Sequence, residues 1–257
     1  MQYLFGDSDI AAQRLQLLAQ LFAEPTRVFL REAGVGKRGL VLDLGCGPGY
    51  STHFLAEVLE CDRVVGLDNS EHFISLARKT KTKKVSFHLH DVALVPFPVG
   101  LADVIFCRFL LTHMRQPLAV VGEWATQLTP GGLLMMEEVG SISTTKDVFA
   151  TYMGMVEAML AHQANRLYMG PVLNNMHDTD SLKRQTSRLR RLKVPTEEAA
   201  TLFYLNLQNW KHRAFVKTHY SEAAIEELEE ELKSLTQEPS GKREIEWGLR
   251  QVAFERI

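Results

Sequence analysis

The chain has little cysteine, no long apolar run and no surplus of either charge. Its three cysteines, Cys46, Cys61 and Cys107, are odd in number and widely spaced. That pattern builds neither a disulfide framework nor a zinc site, so no metal is expected. Reduced thiols fit a cytoplasmic protein. No apolar stretch approaches the roughly 20 residues that span a bilayer. The start, Met-Gln-Tyr-Leu-Phe-Gly-Asp, lacks a basic-then-apolar leader pattern. Lys and Arg number 29 against 31 Asp and Glu, a net charge of −2, which gives no global pull toward nucleic acid or anionic membrane. One segment departs from this balance: Lys183 to Lys193 holds six Lys or Arg. A solvated strand or helix face explains it more simply than an RNA-binding patch. Internal repeats and low-complexity segments are absent.

What is present is a 257-residue chain, 46% hydrophobic, enough for a full core in one large α/β domain. Residues 8–33 read as a helix capped by Ser8 or Asp9 and ended by Gly34 and Gly36. Strand patterns at 39–44, 63–67, 84–89, 102–107 and 132–137 then alternate with helix patterns near 50–60, 70–80 and 115–128. Such alternation predicts a doubly wound, mostly parallel sheet with right-handed crossovers. After Gly140 the pattern changes. Helices are expected at 145–165, 197–213 and 221–236, a strand near 186–194 and a last strand at 244–256.

The most informative stretch is Asp43-Leu44-Gly45-Cys46-Gly47-Pro48-Gly49. It follows the apolar run Leu40-Val41-Leu42 and precedes a helical pattern from Tyr50. A strand entering a glycine loop and then a helix sets backbone N–H groups and a helix N-terminus beside a ligand. A dinucleotide fingerprint needs a third glycine where Tyr50 stands, and a P-loop needs a Lys-Ser/Thr ending that is missing. A nicotinamide-dependent dehydrogenase is therefore disfavoured.

These residues resemble the class I S-adenosylmethionine (SAM) methyltransferases, in particular the small-molecule members of the type 11 kind. Four segments carry the resemblance in order: Val41 to Gly49; Val65-Gly66-Leu67-Asp68-Asn69-Ser70; His90-Asp91-Val92 with Pro96-Phe97; and Leu128-Thr129-Pro130-Gly131-Gly132. They cover about residues 38–138. Tyr3 to Ser8 and Trp247 to Gln251 match the flanking parts more weakly. The resemblance implies a Rossmann-like, seven-stranded sheet with an antiparallel last strand and a helical cap insertion. It implies a single domain over 1–257: an N-terminal helical lid (1–33), a SAM-binding core (34–140), a helical substrate cap with a late strand (141–235) and the last strand (236–257).

The same resemblance assigns roles. Asp68 accepts from the ribose hydroxyls, as the acid after strand two does in dinucleotide sites. Asp91 accepts from the adenine amino group, Val92 offers a backbone N–H to the ring, and Asn69 flanks it. Asp43 orients the loop Gly45-Cys46-Gly47, whose backbone approaches the ribose and methionine part. Cys107 or Arg108 offers a carbonyl to the methionine ammonium, and Tyr3 closes over that end. SAM supplies a methyl already activated on sulfonium, so positioning and desolvation carry much of the catalysis. A proton-bearing acceptor also needs a base. His113 sits at the mouth of the sheet. Of Glu137 and Glu138 only one can face the cleft, and family position favours Glu138. His162 and His219 are weaker candidates.

Tyr152, Met153, Met155, Met159 and Tyr168 can line an adaptable apolar pocket or simply pack the cap. The first option points to a hydrophobic or aromatic small-molecule acceptor. There is no Asn/Asp-Pro-Pro-aromatic tetrad and no Pro-Cys pair, which disfavours the nucleobase-amine, glutamine and pyrimidine-C5 classes. Two alternatives stay open: an RNA or protein methyltransferase using 183–193, and a non-catalytic SAM-binding protein.

Overall fold

Seven strands form one sheet in the order β3-β2-β1-β4-β5-β7-β6, and the sites of interest lie along the edge where β1 to β5 end. The computed structural model describes residues 6–238 and 241–257, so Tyr3 lies outside the described residues. The strands are β1 (Arg38–Leu44), β2 (Cys61–Asp68), β3 (Val85–Leu89), β4 (Ala102–Arg108), β5 (Leu128–Thr144), β6 (Leu182–Val194) and β7 (Ile245–Arg256). The helices are α1 (Asp9–Leu21), α2 (Ala23–Glu32), α3 (Tyr50–Val58), α4 (Glu71–Arg78), α5 (Pro117–Ala125), α6 (Asp147–His162), α7 (Gly170–Asn174), α8 (Thr196–Trp210), α9 (Ala214–His219) and α10 (Glu222–Leu235). Neighbours among β1 to β5 pair in parallel, while β7 runs antiparallel to both β5 and β6. This is the Rossmann-like methyltransferase architecture expected from the sequence.

The strands are apolar on both faces because helices cover both. Leu42, Leu44, Val65, Leu67, Ile105, Leu134 and Met136 face α5 and α7, packing on Trp124 and Leu173. Their neighbours in sequence, Val41, Val64, Val104, Phe106, Leu133 and Met135, face Phe29, Leu30 and Leu55 of α2 and α3. A third core unites the cap: Phe149, Tyr152 and Val156 of α6, Phe203 and Leu207 of α8, and Leu228 and Leu232 of α10 pack on Trp247 and Leu249 of β7.

Two elements depart from the sequence reading. The expected helix 8–33 is two helices divided at Phe22, whose backbone leaves helical geometry and whose ring is wholly buried against Phe109 and Trp247. Ser8 does cap the first, accepting from the Ala11 N–H. The fifth strand does not stop at 137. It runs to Thr144 because β7 pairs with it from Leu133 to Thr144, with a register shift between Val139 and Ser141. The neighbouring β4, by contrast, ends at the Arg108–Glu137 pair. Past that point β5 has open space on one side, and the cleft occupies it.

The basic segment 183–193 lies in β6, the sheet's outermost strand. Arg188 and Arg190 pair with Glu32, and Arg191 with Glu246. Charge along an edge strand blocks pairing with other chains.

Candidate active site

A cavity of about 1110 Å³ runs from the glycine loop to the underside of the cap. Its walls come from the ends of β1, β2, β4 and β5, from α1, and from α6 and α8.

At one end the loop after β1 turns sharply. Gly45, Gly47 and Gly49 all have positive φ, a region costly to any residue with a Cβ. At Gly49 a Cβ would also meet the Phe87 ring at 2.7 Å. Asp43 is buried, and the hydroxyls of Ser51 and Thr52 donate to its Oδ2 at 2.6 and 2.7 Å. Burial raises it to about 6, with those hydroxyls and Arg108 opposing the shift. Asp68 closes the loop from β2: its Oδ2 accepts from the Gly47 N–H at 2.9 Å and its Oδ1 from the Ser70 N–H at 2.8 Å. Each oxygen keeps accepting capacity on a wall of the cavity. Asn69, Asp91 and Val92 line the same end. The Asp91 carboxylate is exposed and accepts from the Ala93 N–H, and the Val92 carbonyl is held by the Trp124 indole N–H.

Two expected cofactor residues, both expected to act through their backbone, turn their side chains away from the cavity. The Cys46 side chain packs with Ile74, Ala77 and Phe87, so that residue offers the cavity backbone rather than a thiol. Cys107 is fully buried in the sheet core and is not on the cavity wall. Arg108, the other expected residue, lines the cavity while donating to Thr26 Oγ1 at 3.2 Å, and its Nη1 lies 4.0 Å from Glu137 Oε2. Glu137 also accepts from Thr26 and Gln251. This buried network tethers Arg108 from beneath and turns Glu137 away from the cleft.

Glu138 points the other way. It is wholly buried yet lines the cavity. Its Oε1 accepts from the Leu110 and Leu111 N–H groups at 2.8 and 2.7 Å. Its Oε2 has no partner among the described residues. The left-handed backbone of Phe109, φ 54°, makes this possible, since it turns the chain after β4 so that two successive amides face β5. Such strain persists only where the surroundings enforce it, and it clusters at functional sites. Burial raises Glu138 to about 8; the two amides oppose that shift and the Glu137 charge adds to it. His113, in the turn Leu111–His113, also lines the cavity. Burial, then the Arg14 charge, push it down to about 3, so the imidazole is neutral.

Of the residues expected to form an apolar pocket, Tyr152 and Met153 line the cavity. Met155 and Met159 face the cap core instead, and Tyr168 packs at its margin. His162 and His219 both stand against Phe215, with centroids 4.8 and 4.0 Å away, off the cavity wall. Sequence reasoning missed Arg14, Asn165, Phe203, Asn206 and Trp247, all on the wall. Arg14 sits in a helix whose polar positions read as solvent-facing, yet it is 5% exposed. Nothing in its local pattern marks it out.

The family model described as a methyltransferase domain matches residues 36–193, more than half of the chain. The chain belongs to the class I SAM-dependent methyltransferases. It is 31% identical over 113 residues to the trans-aconitate 2-methyltransferase of Variovorax paradoxus, covering 44% of this chain and 43% of that protein. It is 31% identical over 133 residues to phosphoethanolamine N-methyltransferase 3 of Arabidopsis thaliana, covering 50% and 27%. The chain thus spans less than half the length of these curated relatives. The structure of coclaurine N-methyltransferase bound to N-methylheliamine and S-adenosylhomocysteine (SAH) superimposes with a TM-score of 0.56 at 16% identity, covering 91% of this chain and 72% of that one, which shows a shared fold.

SAM is the cofactor of this methyltransferase family, and the cleft fits it. The glycine cradle, the Asp68 carboxylate with accepting capacity on the wall, and Asp91 stand together at one end of the cavity, a donor and acceptor set that suits a nucleoside. The cavity continues past them into a compartment lined by the cap.

Proposed function

We propose that this methyltransferase moves a methyl group from SAM to a small molecule held beneath the cap. The carrying observation is the continuity of one cavity, from the glycine loop to Tyr152, Met153 and Val156 of α6 and Phe203 and Asn206 of α8. When bound, SAM supplies a methyl on a sulfonium already activated for displacement. The protein's part is to bind, orient and exclude water. Asp68, Asn69, Asp91 and Val92 hold the nucleoside end. Asp43, the loop Gly45-Cys46-Gly47 and Arg108 hold the methionine end. Glu138 faces the acceptor compartment with one anchored and one open oxygen, and acts there on the acceptor's proton. His113 stays neutral and shapes the same compartment.

A compartment beneath the cap with Tyr152, Phe203 and Trp247 in its walls fits a small acceptor rather than a polymer. None of the residues 183–193 borders the cavity, which counts against RNA or protein substrates guided by that segment. Among the described residues no helix is long and apolar enough to cross a membrane. The three thiols are free, which supports a reducing, cytoplasmic location. Calorimetry with SAH tests the cofactor half of this reading, and binding in the micromolar range is expected. Incubation with methyl-labelled SAM and a metabolite extract tests the other half. Label in small molecules is expected; label only in RNA or protein would overturn it, and SAH binding with no transfer at all would make the protein a non-catalytic binder.

A further inference from the structure

The sheet carries a row of polar residues that the proposed reaction does not use. In cross-strand register Arg108 of β4 pairs with Glu137 of β5, Glu137 with Gln251 of β7, and Gln251 with Arg188 of β6. Residues opposite one another point to the same face, so the row lies on one side of the sheet. Glu137, Gln251 and the facing Thr26 of α2 are wholly buried. Both Glu137 oxygens accept: Oε1 from Gln251 Nε2 and Oε2 from the Thr26 hydroxyl, each at 2.7 Å. Gln251 is itself fastened, donating to the Pro25 carbonyl at 3.0 Å and accepting from Arg190 Nε at 3.2 Å. Arg190 in turn reaches Glu32. Residues of α2, β6 and β7 thus converge on one carboxylate. A buried carboxylate is unfavourable unless it is paired, and its ionic partner is Arg108.

Arg108 stands between two anions. On one side are Thr26 Oγ1 at 3.2 Å and Glu137 Oε2 at 4.0 Å. On the other is Asp43, whose register partner on β4 is Phe106, two residues before Arg108. Arg108 and Asp43 both line the cavity, and each feels the other's charge. Yet among the described residues the ion pair that Arg108 makes is with Glu137. Asp43 is restrained too. Ser51 and Thr52 both donate to its Oδ2, so Oδ1 keeps its accepting capacity. Opposite charges in a site poor in water attract strongly. A pair that had closed would have to open before a ligand could use either member. Of the other arginines on the wall, Arg115 is exposed, and the Arg14 charge acts on His113 and Tyr152 rather than on Asp43.

Resting on the methyltransferase reading above, we infer that Glu137 is a positioning residue for the cofactor: with Thr26 and Gln251 it draws Arg108 back from Asp43, so that the two opposite charges stay open to the carboxylate and the ammonium of the methionine end instead of closing on each other. Glu137 is not on the cavity wall and acts through Arg108. The methionine end of SAM is a zwitterion. A cation and an anion held apart in advance match it without reorganising on binding. The row also gives Arg190, in the basic segment of β6, a part in this site from a distance.

Two ligands test the inference. SAH carries the zwitterion; 5′-methylthioadenosine carries the same nucleoside and a thioether without it. Calorimetry at pH 7.5 should show the wild type binding SAH at least tenfold more tightly than methylthioadenosine. Glu137→Gln keeps the shape of the side chain and removes its charge. It should weaken SAH at least tenfold and leave methylthioadenosine within threefold, which separates lost positioning from lost folding. Arg108→Met should cost the same discrimination. The double variant should lose no more than threefold beyond the larger single loss, because one group acts through the other. If Glu137→Gln does not fold, Thr26→Val takes its place, with a loss of at least threefold confined to SAH. Equal weakening of both ligands would make Glu137 a support for the whole cleft and overturn the inference. Unchanged SAH affinity, additive losses in the double variant, or a wild type that does not distinguish the two ligands would overturn it as well. Failure of the wild type to bind either ligand would instead remove the underlying reading, a different result from the same titration.

Discussion

The two ends of the cavity are built on opposite plans. The cofactor end uses consecutive residues and their backbone: Gly45 to Gly49 in one loop, Asp68 and Asn69 in a second, Asp91 and Val92 in a third. The acceptor end uses single side chains from distant places: Arg14, Glu138, Tyr152, Asn165, Phe203, Asn206 and Trp247. A backbone cradle accepts few sequences, because it needs particular φ angles and close approach. A side-chain compartment changes with each substitution while the fold persists. One half can thus stay fixed on a donor as the other is recast for different acceptors.

That contrast can be broken by experiment. The largest effect is expected in the cap. Phe203→Ala removes a ring that is 3% exposed and packs on Tyr152, Phe149 and Trp247, and should cost about 3–5 kcal/mol in chemical denaturation. If the halves are separable, SAH affinity under native conditions should change less than threefold; a parallel loss of affinity would show that the cap shapes the cofactor end too. Next, Asp68→Ala removes the carboxylate that fastens the Gly47 amide, lines the cavity and is proposed to hold the nucleoside. Calorimetry should show SAH binding weakened by about 3 kcal/mol, roughly a hundredfold, with thermal stability changed far less. An unchanged affinity would take the nucleoside away from this end.

A pH profile sharpens the acceptor side. Burial raises Glu138 to about 8, and its neighbours are Glu137, the Cys107 thiol and the Leu110 and Leu111 amides. The deprotonated form takes the acceptor's proton, so kcat/KM should rise about tenfold per unit below 8 and flatten above it. Glu138→Gln should abolish that limb, and a limb that survives belongs to another group. The smallest effect joins the two halves. The Ser8 side chain caps α1 and also donates to Asn209 Oδ1 of α8 at 2.7 Å. Ser8→Ala should lower stability by about 1 kcal/mol and loosen α1 over the cleft, visible as faster amide exchange in α1 without change in α3.

How legible each part was follows from this division. Asp43, Gly45, Gly47, Asp68, Asn69, Asp91 and Val92 were all readable, since strand-end acids and glycine turns are local patterns, and all of them line the cavity. Arg108 was readable by position, but its tether to Thr26 and Glu137 needs α2 and β5 brought beside it. Alternation along β4 sends the Cys107 side chain into the core, which leaves only its main chain for the carbonyl role expected of Cys107 or Arg108. The break at Phe22 was hidden because α1 and α2 together carry one continuous apolar pattern. The length of β5 was hidden because its end is set by β7, more than a hundred residues later in the chain.

By itself, the sequence determined the parallel α/β core, the glycine cradle and the strand-end acids that line the cavity, because hydrophobic period, turn chemistry and strand-end position are properties of neighbouring residues. Only the tertiary structure decided how Glu138 is held, with one oxygen on two amides and the other without a partner among the described residues, that Arg14 is buried on the cavity wall, and that Asn165 and Asn206 line the same cavity. Those facts depend on the end of β4, the left-handed turn at Phe109 and the packing of α6 on α8. Each is a relation between distant segments, which no local pattern contains.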